Sequence, residues 1–370
     1  MPQTLMRAKL HKPYVDQSLV ARPHLVRRIH ASTGGFMTLI VAPAGYGKTT
    51  IATQWAADAA LPVAWFSIDE SDNDLVRFLS YLIAAIQAIY PDACPHLLGL
   101  LDRSPLPDVE RLAVTLSNDV GALPQRIALV LEDYHWITDP DIQSVLNEFL
   151  RHPARKLHIV LTSRSQPALA LSRLRSSRHL GELQMQDLRL SEAEAAALLA
   201  QRTPFALSSE EVTNLVARTE GWAAGLHLAA LSLEAEGSID SYTADYLLEQ
   251  VLLQQPPLIR DFLLKTSILD RLSPDLAEAV VGSDQSSTGI TLQALTRKGL
   301  FLQATDQRVD GSDVWYTMHR TFRTVLRQQL EATASPNQVA VLHRRASAWF
   351  CARGFYDEAM QLALAAHDTR

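Results

Sequence analysis

Residues 38–50 read TLIVAPAGYGKTT, and the order of residue types in this stretch decides the fold. A β-branched apolar run, Thr38–Val41, leads into a loop of small residues, and from Thr49 to about Ala60 the pattern becomes helical. Strand, glycine loop and helix in this order are the parts of a phosphate cradle. The loop Ala42–Thr49, APAGYGKT, matches the pattern GxxxxGK[ST] except that Ala42 stands where the first glycine would be. Gly45 and Gly47 let the backbone N–H groups from Ala44 through Tyr46 to Thr50 turn inward around phosphate oxygens, at the positive end of the helix. Lys48 is placed to neutralise β- and γ-phosphates, and the Thr49 hydroxyl to hold Mg²⁺. Ala42 is tolerable if its φ stays below zero, since only a left-handed residue there demands glycine.

Outward from the loop, three more apolar runs alternate with helical patterns. VAWFSID (Val63–Asp69) is followed by Asp72 and Asn73 as capping candidates and by a helix-period segment, Leu75, Phe78, Leu79, Leu82, Ile83 and Ile86. IALVLED (Ile127–Asp133) precedes a helix near Asp141–Leu150, and LHIVLTSR spans Leu157–Arg164. Uninterrupted apolar strands alternating with helices predict a parallel sheet buried on both faces. Glu132 and Asp133 then fall at the carboxyl edge of that sheet, where open α/β folds bind ligands. One carboxylate can hold the Mg²⁺ shell and the other polarise a water; the order Glu then Asp leaves the division open. Arg164 ends the next strand, placed either to meet a γ-phosphate or to form a surface ion pair.

After about Leu183 the texture changes. SEAEAAALLAQR and SSEEVTNLVARTEGWAAGLHLAALSLEAE are helical patterns with acidic first turns, ending near a small-residue linker at Gly237–Ser241. Helices resume at Tyr242 and through Pro257–Ser267. FLQATDQRVDGSDVWYTMH then reads as two strands around a polar turn, bracketed by helices near Thr291–Lys298 and Thr321–Leu330, which predicts a winged helix. Asn337–Arg370 reads as helix, turn at Gly354, helix: either one tetratricopeptide-like unit or a helical hairpin packed on the preceding domain. A lone repeat unit cannot bury its own apolar face, so a longer protein is expected. The expected division is 1–183 P-loop domain, 184–240 helical domain, 241–335 winged helix and 336–370 first repeat unit.

With 370 residues, 47% hydrophobic and 20% charged, the chain has apolar surface enough for two or three packed domains. A net charge of −6 argues against a chain dominated by nucleic acid or anionic membrane. The two cysteines, Cys94 and Cys351, have no CxxC spacing, which excludes a disulfide framework or thiolate zinc site and fits a reducing cytosol. No run approaches the ~18 apolar residues of a membrane span. Basic and acidic residues balance between Leu258 and Glu331. The helix Thr291–Lys298 offers only Arg297 and Lys298, and the wing turn carries Asp310 and Asp313, so this winged helix is not expected to read DNA.

Several motifs taken in order resemble one family: LVARPHL (Arg22, Pro23), APAGYGKTT, LVLEDYHWI, TSR at Arg164, TEGWAAGLHLAALSL from Thr219, WYTMHRTF around His319 and the terminal LHRRASAWFCARG. Together they cover nearly the whole chain and are similar to MalT-like, LuxR-type ATP-dependent transcriptional activators of the STAND class of signal-transduction ATPases. The resemblance implies a P-loop NTPase fold followed by helical, winged-helix and repeat domains. It implies that Arg22 and Pro23 wrap adenine and ribose, that Tyr134, His135 and Trp136 form the aromatic turn after the acidic pair, and that Trp222 with Gly225 marks the helical domain. Met318–His319–Arg320 resembles the Met-His-Asp motif whose His contacts the ADP β-phosphate; Arg320 here replaces the Asp, and Glu132 stands where the family usually has Asp.

The implied function is a cytoplasmic switch, closed with ADP and self-associating with ATP and Mg²⁺, with slow hydrolysis. Inducer and DNA binding would belong to C-terminal domains outside this chain. The alternative is an AAA-like ATPase that couples hydrolysis to remodelling or chaperone work.

Overall fold

The structure is a computed structural model that describes residues 5–13, 20–203, 206–234, 248–282, 292–297, 301–305 and 315–368. The linker at Gly237–Ser241, the helix start at Tyr242, Thr291, Lys298, and Asp310 and Asp313 of the wing turn lie outside the described residues. The chain forms two compact units, Met1–Arg189 and Leu190–Arg370. The expected boundary at 183/184 falls inside the strand Leu180–Gln184, six residues before the second unit begins at Leu190.

In the first unit the apolar runs become β1 (Met37–Val41), β2 (Val63–Ser67), β3 (Ile127–Glu132) and β4 (Leu157–Ser163), joined by β5 (Leu180–Gln184). All pairings are parallel, in the order β2-β3-β4-β1-β5. Every residue of β3 and β4 is buried, as strands covered on both faces require. Helices α1 (Pro23–Ser32), α2 (Lys48–Asp58) and α3 (Leu75–Gln87) precede α4 (Pro95–Leu101) and α5 (Val109–Gly121); of these the sequence pattern pointed only to α2 and α3. Helix α6 (Pro140–Arg151) then connects β3 to β4. The N-cap of α3 is Asp74, whose side chain accepts the Arg77 N–H, in place of the expected Asp72 or Asn73. Asp72 is instead wholly buried, with Lys9 Nζ at 2.7 Å and Arg77 Nε of α3 at 3.2 Å, and Lys9 thereby straps the Arg7–Leu10 turn onto the loop after β2.

The strand β5 was missed because LGELQ carries a glycine and a charged residue in five positions and lacks an apolar run. Gly181 is needed there: a Cβ would sit 2.3 Å from that of Ser32 on α1.

The second unit opens with helices Glu192–Arg202 and Ser209–Thr219, each started by a capping box (Ser191 with Glu194, Ser208 with Glu211). Ala223–Glu234 follows. A three-stranded sheet, β6 (Arg271–Leu272), β7 (Leu302–Thr305) and β8 (Trp315–Met318), has antiparallel order β6-β8-β7, and Arg320–Thr333 follows it. Helices Pro336–Ala352 and Tyr356–Asp368 meet at Gly354, whose φ is 81°. Arg271 joins them to the sheet: its guanidinium lies 4.5 Å from the Trp315 ring centroid, 5.1 Å from that of Phe355 and 2.6 Å from Glu358.

At the amino end of the first sheet His158 is wholly buried between Thr38 Oγ1 (3.0 Å) and the Gly35 carbonyl (3.1 Å). Burial holds its imidazole at about 4, below the ordinary 6.5. Because the folded value is depressed, its contribution is intact above pH 6.5 and is lost as pH falls toward 4. We expect up to about 3 kcal/mol of stability to disappear over that window. Urea melts at pH 7 and pH 4.5 should show it, and His158→Gln should show a smaller pH dependence; an unchanged dependence would contradict the assignment.

Candidate functional site

The order β2-β3-β4-β1-β5 sets the carboxyl ends of β1, β4 and β3 side by side. The loop after β1, the Thr162–Arg164 end of β4 and the acidic end of β3 therefore converge on one edge. In the loop, Gly45 and Gly47 both have φ of 77°, left-handed values that other residues adopt only at a cost. Gly47 is the N-cap of α2, and its carbonyl accepts the Ile51 N–H at 2.9 Å. Ala42 does not enter the left-handed region, so the missing first glycine is no obstacle. Its N–H donates to the Ser163 carbonyl at 3.2 Å, which ties the loop to β4. Ala44 and Tyr46 are buried in the loop, while Thr49 and Thr50 are half-buried on the first turn of α2.

Lys48 is 7% exposed, and its ammonium donates to the Pro43 carbonyl at 2.9 Å. Burial drives it down to about 8 from 10.5; Asp133 and Glu132 oppose that shift and Arg164 adds to it. The same charges act on Asp133, whose carboxyl is raised by burial and by Glu132 while Lys48 and Arg164 pull it down. Lys48, Asp133, Glu132 and Arg164 thus form one electrostatic group.

The two carboxylates differ in environment. Glu132 is buried, and its Oε2 accepts from Trp65 Nε1 (3.0 Å) and Ser67 Oγ (2.6 Å), both on β2. Asp133 follows with φ of 57°, its amide held by Thr162 Oγ1 at 3.0 Å, and its side chain stays one-third exposed. In the aromatic turn, Tyr134 is buried with its hydroxyl raised by burial. His135 is depressed to about 3 by burial and by the Arg164 and Lys48 charges, so it stays neutral beside the site.

Arg22 is buried at the N-cap of α1. Its guanidinium donates to the carbonyls of Leu188 and Arg189, both at 2.8 Å, and so ties the start of α1 to the chain after β5. Pro23 is the first residue of α1. Sequence reasoning missed Trp65, Ser67 and Thr162 as partners of the acidic pair. Ser67 and Thr162 had a signal: each is a hydroxyl at the carboxyl end of an apolar run.

His319 lies in the second unit, buried between Trp222 and Phe301, with ring centroids at 6.2 and 5.6 Å. The family motifs around Thr219 and His319, far apart in sequence, therefore meet in space. Gly225 makes room for the Trp222 indole, since a Cβ would lie 2.5 Å from Trp222 Cε3.

The donor set fits a nucleotide with a divalent metal: a glycine cradle at a helix N-terminus, a buried lysine held below its ordinary value, and two carboxylates. Among the described residues no group of three or more His, Cys, Asp or Glu could hold a metal alone. A Mg²⁺ shared with phosphates needs only one or two protein ligands.

Residues 248–339 match the family model described as the MalT winged helix domain. The chain is 33% identical over 376 residues to the HTH-type transcriptional regulator MalT of Cronobacter sakazakii, covering 98% of this chain and 41% of the relative. The chain is a MalT-like P-loop NTPase. It is also 35% identical over 376 residues to serine/threonine-protein kinase PknK of Mycobacterium tuberculosis, covering 98% of this chain and 33% of that one. A Walker-type ATPase of Pyrococcus abyssi shares the fold at a TM-score of 0.55 and 13% identity, over 87% of this chain and 100% of that one. The MalT-like chain thus spans about two-fifths of the regulators it matches. Among its described residues no helix is long and apolar enough to cross a membrane.

The Lys48 environment makes a direct prediction. In nucleotide-free protein the Lys48 ammonium should titrate near pH 8, and adding Mg²⁺–ATP should move it upward, because phosphate offsets the burial penalty. Carbon-13 NMR of Lys Cε reads both values; a Lys48 that titrates at 10.5 and ignores nucleotide would contradict the site.

Proposed function

We propose that this chain is the nucleotide-binding switch of a MalT-like regulator, closed with ADP and opening to self-associate with ATP and Mg²⁺. The observation that carries the reading is the convergence of Lys48, Asp133 and Arg164 on the edge where the Gly45–Gly47 loop meets α2. The backbone N–H groups of Ala44–Thr50 hold the phosphates, and Lys48 neutralises them. The Thr49 hydroxyl and Glu132 hold the metal shell; Glu132 suits this because Trp65 and Ser67 fix its carboxylate. The metal, when bound, neutralises charge on the phosphate oxygens. Asp133, raised and partly exposed, polarises the attacking water, and Arg164 meets the γ-phosphate.

From the resemblance come the base-wrapping role of the Arg22–Pro23 segment and the contact of His319 with the β-phosphate. Arg22 serves the first by positioning the segment through its carbonyl contacts. Hydrolysis is slow and resets the switch, so the function lies in a population shift more than in turnover. Inducer and DNA would be bound by other parts of a longer protein, and the charge-balanced winged helix acts as a nucleotide-state lever. The same region occurs in a protein named as a regulator and in one named as a kinase, so the output need not be the same throughout the family. The module is read as cytoplasmic from its cysteine usage.

Lys48→Ala should abolish nucleotide binding in calorimetry. Asp133→Asn should slow hydrolysis by about 10²-fold or more while keeping ADP affinity, and low-salt titration should show no salt-dependent affinity for duplex DNA. Rapid, sustained hydrolysis by the unmodified chain would favour a remodelling ATPase and sink the switch.

A further inference from the structure

Five residues other than glycine have positive φ among those described: Cys94, Asp133, Arg178, Glu220 and Phe301. Asp133 sits in the phosphate site. Two of the others, Glu220 and Phe301, bear on a single side chain, His319. Such conformations persist where the surroundings over-determine them, and they concentrate at functional positions. Glu220 is the left-handed C-cap of helix Ser209–Thr219, a place ordinarily taken by glycine or asparagine, with φ of 50°. For the bulky Phe301, φ of 57° is a sharper departure.

What both conformations achieve is the confinement of one imidazole. The Phe301 carbonyl accepts the His319 N–H at 2.8 Å, and the Phe301 ring packs edge-on against the imidazole. Trp222, two residues beyond Glu220, closes a second side, and its ring meets Phe301 at 5.7 Å. Glu220 Oε2 lies 4.0 Å from His319 Nε2, with the imidazole side chain 3% exposed and the glutamate 30% exposed. Thr321 Oγ1, two residues after His319, donates to the Arg218 carbonyl at 3.1 Å and ties the same two segments together. Arg320 means that the residue beside His319 supplies no carboxylate. The carboxylate at the imidazole comes from the helix end instead.

We propose that Glu220 is the positioning residue of His319, orienting the imidazole through its carboxylate and supplying its counter-charge, so that His319 presents a fixed donor to an anionic diphosphate. This rests on the reading of His319 as a nucleotide contact. It gives the TEGW segment a function beyond packing: the left-handed turn at Glu220 aims a carboxylate while Trp222 buries.

A double-mutant cycle on the 370-residue chain tests it, reading the release rate of a fluorescent N-methylanthraniloyl ADP under excess ADP. His319→Gln should speed release about tenfold, and Glu220→Gln, which keeps the shape and removes the charge, should speed it several-fold. In the His319→Gln background Glu220→Gln should add nothing, and Glu220→Asp should release near the unmodified rate because it keeps the carboxylate. Equal acceleration by Glu220→Gln in both backgrounds would show a merely structural residue and overturn the proposal, as would acceleration by His319→Gln alone. If His319→Gln leaves release unchanged, the reading of His319 itself fails and Glu220 falls with it. Thermal melts of each variant confirm folding.

Discussion

A lysine ammonium buried at the first turn of a helix, at the positive end of its dipole, is an unfavourable arrangement unless an anion lies beside it. Lys48 is in that position, its ammonium pushed by burial down to about 8 and donating to the Pro43 carbonyl at 2.9 Å. The site follows from this constraint. The strand order that puts β4 between β1 and β3 brings Asp133 and Arg164 into the same field. The acid opposes the burial penalty on Lys48 and the arginine adds to it, so the balance favours a polyanion over an empty edge. The two left-handed glycines then allow the backbone to complete the cradle.

Much of this was legible in the sequence because it is local. The run TLIVAPAGYGKTT specifies strand, loop and helix by residue type alone, and the positions of Gly45, Gly47 and Lys48 follow from the pattern. β3 and β4 were legible for the same reason, being unbroken apolar runs buried on both faces. What was not legible depends on partners distant in sequence. β5 carries no apolar run and is a strand because β1 offers it an edge and Ser32 leaves room only for Gly181. Asp72 looked like a cap because it precedes a helix, yet Lys9 and Arg77 draw it inward.

The acidic pair shows the same limit. Glu132 and Asp133 are adjacent and alike in charge, and no sequence rule separates them. The distinction arises from β2, where Trp65 and Ser67 reach across to Glu132, and from β4, where Thr162 pins the Asp133 amide. His319 is a further case: a lone histidine after a wing strand becomes informative only once Trp222, Phe301 and Glu220 are found around it. Within the second unit Arg271 fastens the last two helices to the winged-helix sheet. In the lever role proposed for the winged helix, this packing would be the route by which a shift in either part reaches the other.

The central claim is that the resting protein holds ADP. Its most direct test is to denature the freshly purified chain and separate the released nucleotide by anion-exchange chromatography, with metal analysis of the same sample. The account predicts ADP in stoichiometric amount. Recovery of ATP together with Mg²⁺, or of no nucleotide at all, would contradict it.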